Sequence, residues 1–377
     1  MLKLFKQTIC CFLCALLLLP SFSASCEEPL SLDATSYILM ESSTGTVLTA
    51  KNETEARPMA SITKLMTVLL ILEELDKGNL SLTDMVTASA NATAMGGSQI
   101  YLKENEVMNV DTLLKSILVA SANDSCVAMA EHIAGSEEAF VKRMNQRAQE
   151  LCLTATVYKN PHGLDDDGHH SSAKDIATLS REVMKHDIVK NYTTIWQERI
   201  RDGAFELTNT NKLVRFYDGA TGLKTGSTTN AGFCLSATAK RNGMELIGVV
   251  LNSSTGEMRF TDAKKLLDYG FASYTLQPLA NLDESFAQVN VRYGQKDTVS
   301  LYPKEELSLL SKKNETKNAE PKIELYSVKA PLKEGDVCGK LMFEADGEII
   351  KETDLIIKEP VEKQSFFQTV LEFLKVI

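Results

Sequence analysis

The stretch GFCLSATAKRNGMELIGVVL, residues 232–251, holds two strand-like runs, 232–240 and 245–251, on either side of Arg241-Asn242-Gly243. Asn-Gly between two such runs is a strong hairpin signal, because both residues tolerate the positive φ that the tight turn requires. A second hairpin pattern lies far upstream, where 36–40 and 45–50 surround the turn residues Ser42-Ser43-Thr44-Gly45. The middle of the chain is mostly helical. Apolar residues recur at helical spacing from 61 to 75, with Pro58 and Ser61 as start signals and Gly78 as a stop, and again over 110–120, 126–133, 137–150 and 173–184. Strands from both ends of a long helical insertion therefore share one sheet, which predicts an α/β (α+β) domain over residues 28–277.

After a last helix ending near Tyr269-Gly270-Phe271, the pattern changes to short alternating segments such as 288–292 and 323–328, split by polar turns. This predicts a small all-β domain over 278–358, with its boundary near Gln277-Pro278 and a loop over 311–320. The final residues place Phe366, Phe367, Val370, Leu371, Phe373, Leu374 and Ile377 mainly on one helical stripe. Packing on the β domain is the plainer reading of that stripe. The charged run 359–364 around Pro360 resembles a tether, however, and favours an amphipathic helix lying in a membrane interface as the chain's anchor.

A chain of 377 residues is long for one domain and suggests two. Apolar content of 44% and charged content of 24% match ordinary globular usage, against wholesale disorder and against a multi-span membrane protein. A net charge of -10 offers no basic footprint for a phosphate backbone, so nucleic acid is excluded as a partner. Lys3 and Lys6, an apolar run from Ile9 to Leu19, then Pro20 and small residues from Ser21 to Ser25 have the layout of a signal peptide over 1–25. The mature chain is then exported and works outside the cytoplasm, attached to the outer face of the cytoplasmic membrane through its terminal helix. A lipoprotein signal would also end at a cysteine such as Cys26, but three positions before it stands Ser23 rather than a large aliphatic residue. The remaining body cysteines, Cys126, Cys152, Cys234 and Cys338, have no metal-type spacing, and their pairing is left open.

Ser61-Ile62-Thr63-Lys64 carries a candidate nucleophile and base. A serine hydroxyl attacks only once something takes its proton, and a lysine does so when its pKa is pulled down. Positions i and i+3 of a helix share a face, and the first turn offers N–H groups and the dipole to a developing oxyanion. About one Ser-x-x-Lys is expected by chance in a chain of this size, and Ser171-Ser172-Ala173-Lys174 is a second copy whose serines read as a helix cap. Company distinguishes the first copy: Ser121-Ala122-Asn123 follows one helical pattern and opens another, and Lys224-Thr225-Gly226 precedes a strand pattern. Ser89-Ala90-Asn91 imitates the middle element but lies in a polar loop. Lys224 near Lys64 would disfavour two adjacent ammoniums and depress the pKa of Lys64, and Gly226 leaves room for a substrate backbone along the strand edge.

Ser-x-x-Lys with Ser-Asp-Asn and Lys-Thr-Gly is the motif set of penicillin-binding proteins and β-lactamases. With Ala122 in place of the Asp, this chain resembles the D-alanyl-D-alanine carboxypeptidases among the low-molecular-mass penicillin-binding proteins. The likeness runs over almost the whole mature chain, through Met59-Ala60-Ser61, His162-Gly163-Leu164-Asp165 and Tyr269-Gly270-Phe271. It implies a peptidoglycan stem peptide ending in D-Ala-D-Ala as substrate, β-lactam antibiotics as covalent inhibitors and no cofactor. It further implies that Ser61 is the nucleophile, Lys64 its base and Ser121 a proton relay, and that Asn123 holds the substrate amide. The N–H groups of Ser61 and Ser227 would form the oxyanion hole, and Arg259 with Thr225 would hold the terminal carboxylate.

The crowd of His162, Asp165, Asp166, Asp167, His169 and His170 invites a metal, but its spacing matches no zinc or calcium motif, and turn-forming residues around two glycines explain it. Rival functions are a β-lactamase, for which a class A Glu-x-x-Leu-Asn element is missing, a transpeptidase, and a non-catalytic wall-binding protein.

Overall fold

The computed structural model describes residues 30–315 and 318–365. The two hairpins do meet. Strands β1 (Ser36–Glu41), β2 (Val47–Lys51), β3 (Ala220–Thr228), β4 (Gly232–Arg241) and β5 (Met244–Ser253) form one antiparallel sheet in the order β2-β1-β5-β4-β3. Residues 36–41 are buried throughout, as a central strand covered on both faces should be. Strand β3 has one free edge, and that edge borders the functional site.

The helical insertion is built around α1 (Lys64–Asp76), entered through a 3-10 turn, Ala60–Thr63. Its first nine residues, 64–72, are all buried, so α1 runs through the core instead of lying amphipathically on the surface. Against it pack α3 (Asn123–Ala134), α4 (Glu137–Glu150) and α5 (Ala173–Met184), with α2 (Val110–Lys115) packed on α3, while α6 (Met258–Ser273) lies against the sheet. The predicted helix over 110–120 changes character halfway: Ser116–Ala120 is a π-helical turn that ends on Ser121 in the left-handed conformation, φ 63° and ψ 33°. Such turns concentrate at functional sites, because the extra residue re-aims the side chains that follow.

Beyond α6 the described residues are all-β. Strand β6 (Tyr274–Ala280) contains Gln277 and Pro278 and pairs with β9 (Leu307–Lys312), so the predicted boundary falls inside a strand. A six-stranded sheet in the order β10-β12-β13-β8-β7-β11 follows, built from β7 (Ala287–Arg292), β8 (Thr298–Pro303), β10 (Glu320–Leu325), β11 (Val328–Lys329), β12 (Val337–Ala345) and β13 (Glu348–Ile356). It closes its own core around Leu301, Cys338, Leu341 and Leu355.

The run 359–364 is not a free tether. Val361 is buried and bridges to Leu332, Gln295 N–H donates to Glu362 O, and Lys296 pairs with Glu359. An apolar residue in the middle of the charged run anchors it to the β domain. The signal-like segment 1–25 and the amphipathic stripe 366–377 lie outside the described residues. Among the described residues no helix is long and apolar enough to cross a membrane, and Cys126, Cys152, Cys234 and Cys338 are free thiols.

Candidate active site

Ser61 sits half-buried in the 3-10 turn that leads into α1, immediately after Ala60, which adopts a positive φ of 50°. That conformation is costly for a residue with a Cβ, and it turns the chain sharply enough to present the next residue to the cleft. One helical turn on, Lys64 is completely buried. Its Nζ lies 2.9 Å from Ser61 Oγ, 2.6 Å from Asn123 Oδ1 and 2.5 Å from His162 O. Removal from water disfavours the ammonium and lowers the lysine pKa from 10.5 to about 8, partly opposed by the Asp124 charge nearby.

The three contacts of Lys64 have a chemical consequence. As an ammonium it donates to all three oxygens. Once deprotonated, it keeps two N–H bonds, which match the two acceptors that cannot donate in return, the Asn123 amide oxygen and the His162 carbonyl. The lone pair then faces Ser61 Oγ, where it accepts the hydroxyl proton. The surroundings thus orient the base as well as lowering its pKa.

Asn123 is held in that role from both sides. Its Nδ2 donates to Gly96 O at 2.7 Å and its own N–H donates to Ser98 O, which leaves Oδ1 facing Lys64. The fully buried Asp124 carboxylate accepts from the Ile100 and Leu102 amides and so pins the same 96–102 loop. Ser121, two residues earlier, is brought to the start of α3 by the π turn and is almost wholly buried.

On the opposite wall runs β3. Lys224 is buried, donates to Thr225 O at 2.9 Å, and has its pKa driven well below 10.5 by burial and then by the nearby Lys64 and Arg259 charges. Burial is the leading cause of the low pKa at both lysines, and the mutual repulsion expected from the sequence adds to it, disfavouring two ammoniums in this wall. Gly226 lies against the turn that carries Ser61, so a Cβ there would stand 2.8 Å from Met59 O and 3.0 Å from Ser61 N. Any side chain would push the turn away from the strand. Ser227 is exposed at the strand edge.

Arg259, on the first turn of α6, donates from Nη1 to Gly226 O at 3.1 Å and stacks on Phe260 and Phe233, with its guanidinium carbon 4.9 and 5.6 Å from the ring centres. Its Nε is buried without a hydrogen-bond partner, and among the described residues no carboxylate pairs with it. An uncompensated cation with an unused donor beside Thr225 suits a ligand carboxylate. Thr225 Oγ1 donates to Thr210 Oγ1 at 2.7 Å, which brings into the site a residue that sequence reasoning missed. Thr210 lies in Asn209-Thr210-Asn211, where Asn209 and Asn211 use their side chains to hold the backbone.

Contacts therefore join Ser61, Lys64 and Asn123, and place Gly226 against Ser61 and Arg259 on Gly226, while Ser121 and Ser227 lie on the π turn and the β3 edge beside them. The decoys fall elsewhere. Ser172 caps α5 by accepting from Asp175 N–H and Lys174 is exposed, while Ser89 caps the short helix Ala90–Thr93. Among the described residues no cluster of His, Cys, Asp and Glu could hold a metal ion.

A serine whose proton acceptor is a buried lysine, beside an open strand edge and an unpaired arginine, defines a peptidase that works through acyl transfer to serine. Comparison with known proteins gives the class its family. Residues 23–255 match the D-alanyl-D-alanine carboxypeptidase family Peptidase_S11, and residues 274–363 match the C-terminal domain of penicillin-binding protein 5. The D-alanyl-D-alanine carboxypeptidase DacF of Bacillus subtilis is 42% identical over 348 residues, 91% of this chain and 88% of the relative. The crystal structure of penicillin-binding protein 5 from Haemophilus influenzae superimposes with a TM-score of 0.72 at 31% identity, covering 89% of this chain and 99% of that one. Penicillin-binding protein D2 of Listeria monocytogenes in its ampicillin-bound form matches 64% of this chain and 99% of its own at 32% identity and a TM-score of 0.59. The chain belongs to the serine D-alanyl-D-alanine carboxypeptidase family.

Proposed function

We propose that this enzyme removes the terminal D-alanine from peptidoglycan stem pentapeptides through an acyl-enzyme on Ser61. The observation that carries the reading is Lys64 Nζ at 2.9 Å from Ser61 Oγ with its other two contacts fixed on carbonyl oxygens. Lys64 takes the hydroxyl proton as Oγ attacks the carbonyl carbon between the two D-alanines, and the oxyanion is held by the Ser61 and Ser227 N–H groups. The leaving amine receives a proton by way of Ser121, free D-alanine departs, and water hydrolyses the ester. Arg259, with Thr225, selects a substrate that ends in a carboxylate. Asn123 Oδ1 has a second lone pair for a substrate N–H while it continues to hold Lys64.

A β-lactam acylates the same serine, a reading supported by the ampicillin-bound form of the Listeria relative. Residues 1–25 direct export, and 366–377 attach the chain to the outer face of the cytoplasmic membrane. That anchor would leave from the seam where 361–364 are fastened to the β domain.

The test is D-alanine release from a peptide ending in D-Ala-D-Ala, compared between wild type and Ser61→Ala. Release that falls by about 10^4-fold or more in the variant is expected, because the nucleophile leads every later step. A variant that releases D-alanine at the wild-type rate would refute the assignment.

A further inference from the structure

His169 lies in the loop between α4 and α5, outside the nine residues assigned above, and is 5% exposed. Both of its ring nitrogens are engaged. Lys159 N–H donates to Nδ1 at 3.0 Å, so the proton of the neutral ring is on Nε2, which lies 2.7 Å from Thr63 Oγ1. Burial keeps the ring neutral by lowering its pKa to about 4. The Thr63 hydroxyl in turn donates to Ala60 O at 2.7 Å. Every donor and acceptor in this chain has one consistent direction: Lys159 N–H to His169, His169 Nε2–H to Thr63, Thr63 O–H to the Ala60 carbonyl.

The end point is informative, because the Ala60 carbonyl belongs to the same peptide unit as the Ser61 N–H. A hydrogen bond donated to a peptide oxygen draws electron density away from its nitrogen and makes the N–H a stronger donor. The same bond helps to hold Ala60 in its left-handed conformation, which aims that N–H. Two further contacts keep the relay rigid. Tyr158 meets the His169 ring edge-on with centroids 6.0 Å apart, and Gly163 is packed so closely that a Cβ on it would lie 2.0 Å from Ala60 O.

We infer that His169 is a positioning residue for acylation: through Thr63 it fixes and polarises the Ala60–Ser61 peptide whose N–H stabilises the oxyanion. The inference rests on the reading of Ser61 as nucleophile and of its amide as an oxyanion donor. His169 itself touches no reacting atom.

The test uses the full chain and benzylpenicillin, with Thr63→Val, Thr63→Ser and His169→Phe. Val keeps the shape of Thr without the hydroxyl, whereas Ser keeps the hydroxyl. The readouts are the acylation rate and the infrared stretch of the acyl-enzyme ester carbonyl, which reports hydrogen bonding in the oxyanion hole and is not moved by a loss of general stability. We expect Thr63→Val and His169→Phe to slow acylation by about tenfold or more, short of the roughly 10^2- to 10^3-fold cost of deleting an oxyanion donor. The carbonyl stretch should rise in both, and Thr63→Ser should restore rate and frequency. Unchanged carbonyl frequencies in Thr63→Val and His169→Phe would overturn the relay even if both variants were slower. Wild-type protein that forms no acyl-enzyme would instead overturn the reading of Ser61, and the relay with it.

Discussion

The low pKa that fits Lys64 to the proposed role of base comes from where α1 runs. A lysine in the first turn of a surface helix would stay charged at neutral pH, but this one is removed from water at the head of nine buried residues, and its pKa falls to about 8. The sign of the pH dependence follows. The neutral amine is the active form, so the acylation rate should rise with pH, by about tenfold per unit well below pH 8, and level off above it. A stopped-flow profile with a fluorescent penicillin checks this. A rate that falls between pH 6 and pH 8 would contradict Lys64 as the base. That Ser61, Lys64, Asn123 and Lys224 come together was legible because three short motifs occur in order. The source of the low pKa was not, since a motif shows that two lysines are near each other but not how deeply each is buried. His169 was hidden for a similar reason: beside His162 and His170 it looked like one more polar loop residue, and only its paired ring contacts separate it from them.

At the scale of elements, the least visible piece is β3. Its sequence, ATGLKTGST, has two glycines and no clean alternation, so Lys224-Thr225-Gly226 looked like the approach to a strand when it is the middle of one. What makes it a strand is pairing: Lys224, Thr225 and Gly226 face Ser236, Leu235 and Cys234 of the hairpin that was read first. The glycine that weakens the pattern brings the strand against the nucleophile turn. Gly226→Ala should therefore slow acylation by about 10^2-fold or more and also lower the melting temperature, because the buried backbone of the turn must give way and a shift on the order of 1 Å at Ser61 is enough to misplace the attack. Equal acylation rates in variant and wild type would show that the close approach has no catalytic role. The π turn before Ser121 was equally hidden, because 110–120 has ordinary helical periodicity and the inserted residue leaves no mark in composition.

At the scale of the molecule, the two hairpins of the first sheet, the long helical insertion and an all-β region after it followed from hydrophobic period read together with turn signals such as Asn242-Gly243, since strands alternate and helices repeat every three to four residues over segments long enough to count. The tether was misread because local composition counts charges, while the fate of 359–364 depends on Val361 entering the core of the β domain. A chain ended after Ser365 should keep its D-alanine release on soluble peptides and lose sedimentation with vesicles of phosphatidylglycerol and phosphatidylethanolamine. Retained sedimentation would place the membrane contact elsewhere on the protein.

The central claim is that acyl transfer occurs at Ser61, and locating the acyl group tests it most directly. Benzylpenicillin-treated protein should gain one penicilloyl group by intact mass, which peptide mapping places on Ser61, and Ser61→Ala should gain none. An adduct on Ser121 or Ser171, or an adduct of the same yield in Ser61→Ala, would contradict the account.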